Sequence, residues 1–389
     1  MAGTIRPRDS KELRQAVEWA LADNVTLDVR GQGSKLALGK PMDCGQVLDL
    51  SGISGVVDYA PEELVVTLRA GTPLSEVEAL LAQRNQMLAF EPPDLGPLLG
   101  GEAGQGTLVG TVMGNLAGSR RVSAGAARDH LLGFSGVNGR GEAFKSGGKV
   151  MKNVTGYDLS KLLAGSWGTL AVLDEVSVKV LPAPDQTRTL LLLGLADDVA
   201  VKAMCAAMGS PHDVSGAAHV GNRTALRIEG VAPSVEARLK GLRELLVASG
   251  AKMEELGTLE SRAFWREVRD VVPLKATRDA IVWKISCPPT EGPGIVVRIK
   301  AQRPSVEAFY DWSGGLIWLA LPASADADHA IVRGALGPAG GHATLIRAPE
   351  AVRAAVPVFQ PQPLPLAALA SRVKESFDPK RLFNPGRMG

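Results

Sequence analysis

The sequence lacks the features that mark several classes of protein. Its three cysteines lie far apart with no C-x-x-C pair, so we expect neither a zinc knuckle nor an iron–sulfur site within this chain. Its five histidines form no H-x-H or H-E-x-x-H pattern, so no histidine-built metal site is expected. The net charge of +2 gives no electrostatic reason to expect nucleic acid as a partner. No apolar run approaches a membrane span, and no secretory signal opens the chain, so we predict a cytoplasmic protein.

The composition is that of a folded protein of two ordinary domains. Hydrophobic residues make up 45% and charged residues 22% of the 389 residues. The sequence pattern changes after the Pro-Ala-Pro sequence at 182–184, where glycine clusters become rare. Beyond this point predicted strands alternate with helices, as in an antiparallel sheet with helices on one face. We therefore predict an α+β protein with domains 1–184 and 185–355, and a C-terminal segment, 356–389, that packs back on the first domain.

Glycine-rich stretches dominate the first domain. The densest, residues 147–170, reads G-G-K-V-M-K-N-V-T-G-Y-D-L-S-K-L-L-A-G-S-W-G-T-L. Glycine allows positive φ angles and lets the backbone come close to a ligand. Tight turns explain any one of these glycines, but the cluster as a whole favours a ligand.

A second glycine signal follows the first predicted strands. The strand at 25–30 ends in G-Q-G-S-K, residues 31–35, where several backbone N–H groups can point toward phosphate oxygens. The turn lacks the G-x-G-x-x-G spacing and no amphipathic helix follows it, which disfavours a Rossmann fold. The adjacent Arg120 and Arg121 could neutralise a phosphate or a carboxylate, although a solvated surface pair is an equal alternative.

Taken together, these motifs resemble a known family. R-G-Q-G-S-K, a glycine-rich segment ending in A-G-S-R-R, and K-N-V-T-G-Y-D-L followed by G-S-W-G-T-L resemble the FAD-binding domain of the vanillyl-alcohol oxidase (PCMH-type) family. The terminal F-D-P-K-R-L-F-N-P-G-R-M is similar to its 2-hydroxyacid dehydrogenase branch, and A-L-R-I-E-G and V-W-K-I-S-C-P-P to the FAD-binding subunits of bacterial glycolate oxidase. The resemblance covers almost the whole chain. It implies a PCMH-type two-subdomain FAD-binding domain followed by an α+β cap domain with an antiparallel sheet.

The resemblance also implies which residues bind FAD. The turn at 30–35 would hold the pyrophosphate, the glycines of the second loop would lie against the flavin, and the C-terminal asparagine would return beside the isoalloxazine edge. The implied residues are Arg30, Gly31, Gln32, Gly33, Ser34, Lys35, Gly110, Thr111, Gly114, Gly118, Asn153, Tyr157, Asp158, Gly165, Gly168, Thr169 and Asn384. Members with covalent flavin use a histidine at the first glycine turn, and this chain has none there, so non-covalent FAD is expected. Val109 and Asn115 stand where the family often has glycine, which predicts weaker FAD binding.

The function implied is that of a subunit of a multi-subunit glycolate oxidase, which oxidises glycolate to glyoxylate. Its partners would be a larger FAD-linked catalytic subunit and an iron–sulfur subunit, which could also hold the chain at the inner membrane. Two alternatives remain open: a self-sufficient FAD-dependent 2-hydroxy-acid oxidoreductase, and a non-catalytic structural subunit on the same fold.

Substrate chemistry within this chain has only weak candidates. Oxidation of a 2-hydroxy acid needs a hydride acceptor, a base and a cation for the carboxylate. The histidine-containing metal motif that the family's catalytic members carry in the cap domain is absent here. Arg227, Lys284 and Arg298 are possible carboxylate-binding cations, each in a predicted strand, and a solvated side chain is the alternative for each.

Overall fold

The computed structural model describes residues 3–148, 156–275 and 279–389. Contacts within the chain divide it into two compact units. Unit 1 comprises Met1–Ala117, Gly125–Ala183 and Pro361–Gly389, and unit 2 comprises Gly118–Ala124 and Pro184–Gln360. Unit 1 is therefore built from chain on both sides of unit 2. The two boundaries drawn from the sequence, after residues 184 and 355, stay a prediction.

The described residues of unit 1 form three small sheets. A parallel sheet has the order β1-β3-β2, an antiparallel sheet has the order β4-β5-β9-β7-β8, and β6 pairs with β10. The strands are β1 (Gly3–Ile5), β2 (Leu27–Arg30), β3 (Gln46–Asp49), β4 (Val56–Ala60), β5 (Val65–Arg69), β6 (Gln86–Met87), β7 (Leu131–Asn138), β8 (Ala143–Gly147), β9 (Ala171–Lys179) and β10 (Leu181–Pro182).

Helices connect the strands in both units. In chain order they are α1 (Ser10–Asp23), α2 (Leu74–Ala82), α3 (Leu108–Met113), α4 (Arg121–Ala124), α5 (Ala127–His130), α6 (Leu159–Leu163), α7 (Asp197–Met208), α8 (Ala232–Leu246), α9 (Thr258–Arg269), α10 (Gly292–Lys300), α11 (His329–Gly334), α12 (Glu350–Ala355) and α13 (Leu364–Phe377). Among the described residues, no helix is both long enough and apolar enough to span a membrane.

Helix α1 shows how the sequence sets these elements. The sequence offers Asp9 or Ser10 as its N-cap, and the structure selects Asp9, whose carboxylate accepts a hydrogen bond from the Glu12 amide at 2.8 Å. Leu13 and Val17 lie one turn apart and are fully buried in the core of unit 1. The helix ends at Asn24, which adopts a left-handed conformation with φ of 53°.

Unit 2 is built on one antiparallel sheet of eight described strands in the order β14-β11-β13-β12-β16-β17-β15-β18. Its sequence contains the pattern β-α-β-β-α-β twice, once in residues 186–256 and once in residues 281–347. In each half the third strand pairs with the first, and the two halves meet where β12 pairs with β16. The strands are β11 (Gln186–Leu193), β12 (Gly216–Val220), β13 (Arg223–Gly230), β14 (Lys252–Leu256), β15 (Ile281–Ser286), β16 (Glu307–Asp311), β17 (Leu316–Leu321) and β18 (His342–Arg347).

The two faces of this sheet differ in chemistry. Alternate residues such as Trp283 and Ile285 are fully buried in the apolar core that the sheet shares with helices α7, α8, α10 and α11. The residues between them point to the opposite face, where Arg227, Lys284 and Trp318 lie. We call this opposite surface the polar face of the sheet.

The C-terminal segment, from residue 361 on, belongs to unit 1. Leu382 and Phe383 are buried in its core, and the Leu27 amide donates to the Leu382 carbonyl at 2.7 Å. The carboxylate of Asp378, which is fully buried, accepts hydrogen bonds from the Leu382 and Phe383 amides at 2.9 Å each. These bonds fix the turn that follows α13.

Two local predictions are wrong. The helical spacing of Val235, Leu239, Leu242 and Leu246 predicts a helix capped by Ser234. This helix, α8, begins instead at Ala232, because Pro233 has the φ angle that suits the first helical turn. The stretch at 294–300, including Arg298, is not a strand but part of α10. Its short apolar run fits both the two-residue period of a strand and the 3.6-residue period of a helix. Ile295 and Ile299, four residues apart, are both buried, as the helix requires.

Candidate cofactor site in unit 1

Unit 1 contains a cavity formed by loops that lie far apart in the sequence. Its walls come from the loop after β2, from the N-terminal part of α3, from the turn before β9 and from the C-terminal segment. The lining residues are Val29, Arg30, Gly31, Gln32, Gly33, Ser34, Lys35, Leu36, Leu50, Ala70, Thr107, Val109, Gly110, Met113, Gly114, Trp167, Gly168, Asn384 and Arg387.

The loop after β2 carries charge into this cavity. Arg30, at the end of the strand, donates to the Asp28 carboxylate from Nε at 2.7 Å, so part of its charge is already compensated. Lys35 is half-buried, and its recorded hydrogen bond is a long one of 3.4 Å to the Ser34 hydroxyl. Among the described residues no carboxylate lies within ion-pair distance of the Lys35 ammonium, so its charge is available for an anion.

Burial changes the pKa of Lys35. Desolvation lowers the pKa of its ammonium to about 8; Asp94 opposes the shift and Arg387 adds to it. A buried cation without an ion-pair partner is unfavourable, and an anionic ligand would compensate it. Phosphate oxygens have that charge, so the first loop fits the pyrophosphate of FAD.

Helix α3 forms one wall of the cavity, and Gly110 leaves space there because it has no side chain. Thr107 caps the helix, and its hydroxyl accepts from the Gly110 amide at 3.0 Å. A Cβ atom on Gly110 would lie 3.0 Å from the Thr107 hydroxyl and 3.8 Å from the Lys35 ammonium. Glycine therefore preserves the space beside Lys35 that a phosphate would need.

Asn115, just after α3, resolves one departure from the family pattern. Its φ is 45°, in the left-handed region that glycine adopts easily and asparagine tolerates. Its side-chain oxygen also accepts a hydrogen bond from the Arg128 amide at 3.0 Å. The chain thus keeps the backbone conformation of a glycine at this position while gaining a side-chain contact.

The C-terminal segment closes the last wall. Asn384 accepts a hydrogen bond from the Val29 amide and donates one to the Trp167 carbonyl, both at 2.8 Å. Gly168 has a φ of 70°, and a Cβ there would lie 2.8 Å from the Asn384 amide nitrogen. Arg387 donates to the Lys35 carbonyl at 2.8 Å. These contacts join the first loop to residues more than 350 positions later.

The structure brings together ten of the residues that the resemblance assigned to FAD, and they line one cavity: Arg30, Gly31, Gln32, Gly33, Ser34, Lys35, Gly110, Gly114, Gly168 and Asn384. Sequence reasoning missed Thr107, Met113, Trp167 and Arg387. Trp167 and Arg387 belong to the motifs G-S-W-G-T-L and N-P-G-R-M. Their place within these motifs could have identified them as candidate lining residues. The role of each residue in FAD binding stays a prediction.

The remaining assigned residues do not line the cavity. Thr111 and Thr169 are buried, and their hydroxyls donate to the Thr107 and Ser166 carbonyls at 3.2 and 2.7 Å. Tyr157 is 90% exposed, and Asp158 caps α6 by accepting from the Lys161 amide.

Two glycines and one asparagine complete the assigned set. Gly118 belongs to unit 2, where its carbonyl accepts from the Trp312 indole at 3.0 Å. Gly165 has a φ of 89° and lies near Asn115. Asn153 lies outside the described residues.

The three cations suggested for a substrate carboxylate have different surroundings in unit 2. Arg227 is fully buried and donates to the hydroxyl and carbonyl of Ser215 at 3.1 Å. Arg298 lies on the exposed side of α10 and donates to the Ala335 carbonyl at 2.9 Å. Lys284 lies near the tryptophan rings of residues 312 and 318 on the polar face. No group of three or more potential metal ligands occurs in the part of the chain that the structure describes.

Comparison with known proteins identifies the family. A family model described as FAD binding domain matches residues 1–147. Glycolate oxidase subunit GlcE of Escherichia coli is 36% identical over 383 residues, which cover 97% of each chain. The chain belongs to the GlcE family. Glycolate oxidase subunit GlcD of Bacillus subtilis is 31% identical over 190 residues, 49% of this chain and 39% of that protein.

A solved structure confirms the fold. p-Cresol methylhydroxylase with substrate bound superposes with a TM-score of 0.74 at 11% identity, covering 99% of this chain and 88% of that one. This likeness confirms the predicted fold class, and the match to the FAD binding domain confirms FAD as the cofactor of this GlcE-family chain.

Proposed function

We propose that this chain is the FAD-binding subunit of a multi-subunit glycolate oxidase that converts glycolate to glyoxylate. The observation that carries the proposal is the identity of 36% with GlcE along 97% of both chains. An identity that extends through both units, rather than over the FAD-binding region alone, supports the same role and not merely the same cofactor.

The residues of the cavity have defined tasks in this proposal. Bound FAD supplies a two-electron acceptor for the hydride of the substrate. The loop at 31–35 and Lys35 bind the pyrophosphate, Gly110 leaves room for it, and Asn384 holds the wall formed by Val29 and Trp167 in place. No histidine lines the cavity among the described residues, which supports non-covalent FAD.

The partners we propose are a larger FAD-linked subunit related to GlcD and an iron–sulfur subunit that carries electrons onward. The similarity of this chain to both GlcE and GlcD supports a pair of related flavin subunits within one complex. We propose that the chain is cytoplasmic and that its partner subunits hold the complex at the inner membrane.

The visible absorbance spectrum of the purified chain, recorded before and after anaerobic addition of glycolate, tests the proposal. We expect flavin bands that glycolate leaves oxidised in the isolated chain and bleaches once the larger subunit is present. Bleaching of the isolated chain would mean a self-sufficient oxidoreductase. Absence of flavin bands even after addition of FAD would contradict the proposal and favour a structural subunit.

A further inference from the structure

Trp167 adopts a backbone conformation that is unusual for a large side chain. Its φ is 56°, in the left-handed region, and Gly165 and Gly168 in the same turn have φ of 89° and 70°. Glycine adopts positive φ at little cost, whereas a bulky residue is strained there. Such strain persists only where the surroundings impose it, and it is concentrated at ligand-binding and active sites. The indole therefore needs a reason beyond the turn itself, which another glycine would form more easily.

The turn is held by hydrogen bonds to two other walls of the cofactor cavity. The Trp167 amide donates to the Met113 carbonyl at 2.9 Å, and the Trp167 carbonyl accepts from the Asn384 side chain at 2.8 Å. The Gly165 amide donates to the Val112 carbonyl at 3.2 Å. Helix α3 and the C-terminal segment thus impose the strained conformation, and both of them line the cavity.

The indole ring, and not only the backbone of Trp167, belongs to the cavity wall. A Cβ atom on Gly114 would lie 3.5 Å from Cη2 of the indole, and the guanidinium of Arg387 lies 5.8 Å from the ring centroid. Both of these neighbours line the cavity, and the tryptophan itself is half-buried. Of the described residues that line the cavity, Trp167 alone is aromatic.

The ring chemistry of FAD fits this part of the wall. FAD carries two flat aromatic ring systems, the isoalloxazine and the adenine, on either side of its pyrophosphate. An aromatic side chain binds such rings by stacking, whichever polar groups the ring carries. Lys35 and the loop at 31–35 suit the charged pyrophosphate, whereas the indole is the part of the wall that suits a ring.

We propose that the indole of Trp167 stacks on one of the two aromatic ring systems of FAD and that the left-handed turn fixes the indole for this contact. The hydrogen bonds that Trp167 donates to Met113 and accepts from Asn384 hold the turn in place before the cofactor binds. Less conformational freedom is then lost on binding. This contact depends on FAD as the cofactor and not on glycolate as the substrate.

Calorimetric titration of the full-length apoprotein with FAD tests the contact. Trp167→Leu should weaken FAD binding by roughly tenfold or more, because it removes a stacking ring. Trp167→Phe should retain most of the affinity, since it keeps an aromatic face. Both variants keep a Cβ at a positive φ, so the backbone strain stays the same. The matched control is Trp19→Leu on α1, whose indole is 39% exposed and does not line the cavity, and which should bind FAD as the wild type does.

Two further measurements identify the ring. An indole in contact with the isoalloxazine quenches its emission by electron transfer, so the fluorescence lifetime of bound flavin should then lengthen in Trp167→Phe. If the adenine is the partner instead, that lifetime should stay the same. ADP alone should in that case bind more weakly to Trp167→Leu than to the wild type.

Two results would overturn the contact. The first is equal FAD affinity of the wild type and Trp167→Leu. The second is weaker FAD binding by Trp167→Leu with neither a longer flavin lifetime in Trp167→Phe nor a loss of ADP affinity, since the indole then acts only by packing within the wall. The melting temperature of each apo variant reports its folding, and Trp167→Phe, the more conservative change, tests the contact where the leucine variant does not fold.

Discussion

Two lysines of this chain, one in each unit, share the same electrostatic situation in different surroundings. Burial lowers the pKa of both Lys35 and Lys284 to about 8, a neighbouring arginine adds to each shift, and an aspartate opposes it. Lys35 lies among glycine-rich loops that line one cavity. Lys284 lies on a regular strand, and its ammonium is 5.2 and 5.9 Å from the ring centroids of Trp312 and Trp318.

The difference shows that a lowered lysine pKa does not by itself identify an anion site, and that the surroundings of the lysine decide. Glycine-rich loops leave space and backbone N–H donors for a phosphate group with several oxygens. The tryptophan rings near Lys284 instead provide cation–π contacts to its ammonium. The two lysines therefore serve as references for each other in the charge-removal variants below.

The largest expected effect comes from filling the loop site. Gly110→Val places a branched side chain next to Thr107 and Lys35, and we expect FAD affinity to fall roughly 100-fold. Flavin fluorescence titration of the apoprotein measures this. Gly334→Val is the matched control, since a Cβ there meets nothing within 4 Å. Retained flavin binding in Gly110→Val would place the pyrophosphate elsewhere.

Removal of the charge should have a somewhat smaller effect. Lys35→Met loses a charged hydrogen-bond donor to phosphate, which is worth roughly 10- to 100-fold in FAD affinity. Lys284→Met should leave FAD affinity unchanged, and Lys11→Met on the exposed face of α1 serves as a second control. If both Lys35 and Lys284 variants lost FAD equally, the division of tasks between the two lysines would be wrong.

The pH dependence of FAD binding should be smaller again. The folded-state pKa of Lys35 is lowered to about 8, so the ammonium is charged below that pH and neutral above it. Because the phosphate binds the charged form, FAD affinity should be about tenfold weaker at pH 9 than at pH 7. Equilibrium titrations of wild type and Lys35→Met at both pH values test this. If FAD affinity still falls with pH in Lys35→Met, the pH dependence belongs to another group.

The same shift affects the apoprotein with the opposite sign. The folded state binds fewer protons than the unfolded state between pH 8 and the ordinary lysine pKa near 10.4. The Lys35 contribution to the free energy of unfolding therefore rises with pH across that window. Urea denaturation measures the free energies of unfolding of the apo wild type and of apo Lys35→Met. The difference between these two free energies should shrink as the pH rises from 8 to 10.

The smallest effect is expected at Asn115. Since its backbone already adopts the left-handed conformation, Asn115→Gly should change FAD affinity by no more than about threefold. An increase of tenfold or more would show that the asparagine side chain, rather than the backbone, weakens binding. The Tm of the variant reports separately on the lost contact with the Arg128 amide.

The sequence predicted most of the fold because its periodic patterns are strong. The strand predicted at 25–30 overlaps β2, and the alternation of strands with helices after residue 184 identified the antiparallel sheet of unit 2. It could not place Arg298, because a short apolar run fits a buried helix as well as a strand.

The sequence also predicted the first loop of the candidate site and Asn384, because contiguous motifs carry them. The contribution of Arg387 and the contrast between Arg227 and Lys284 depend on pairing between distant segments. In particular, nothing local indicates that Glu229 forms an ion pair with Arg120.

The position of Asn384 has a consequence for how the protein is made. A ribosome synthesises the chain from its N-terminus, so the loop at 31–35 emerges long before the asparagine that secures Val29 and Trp167. All of residues 184–360, the larger part of unit 2, must be translated between the two. The cavity therefore gains the wall that Asn384 secures only after residue 384 has been synthesised, and until then the loop at 31–35 lacks this support.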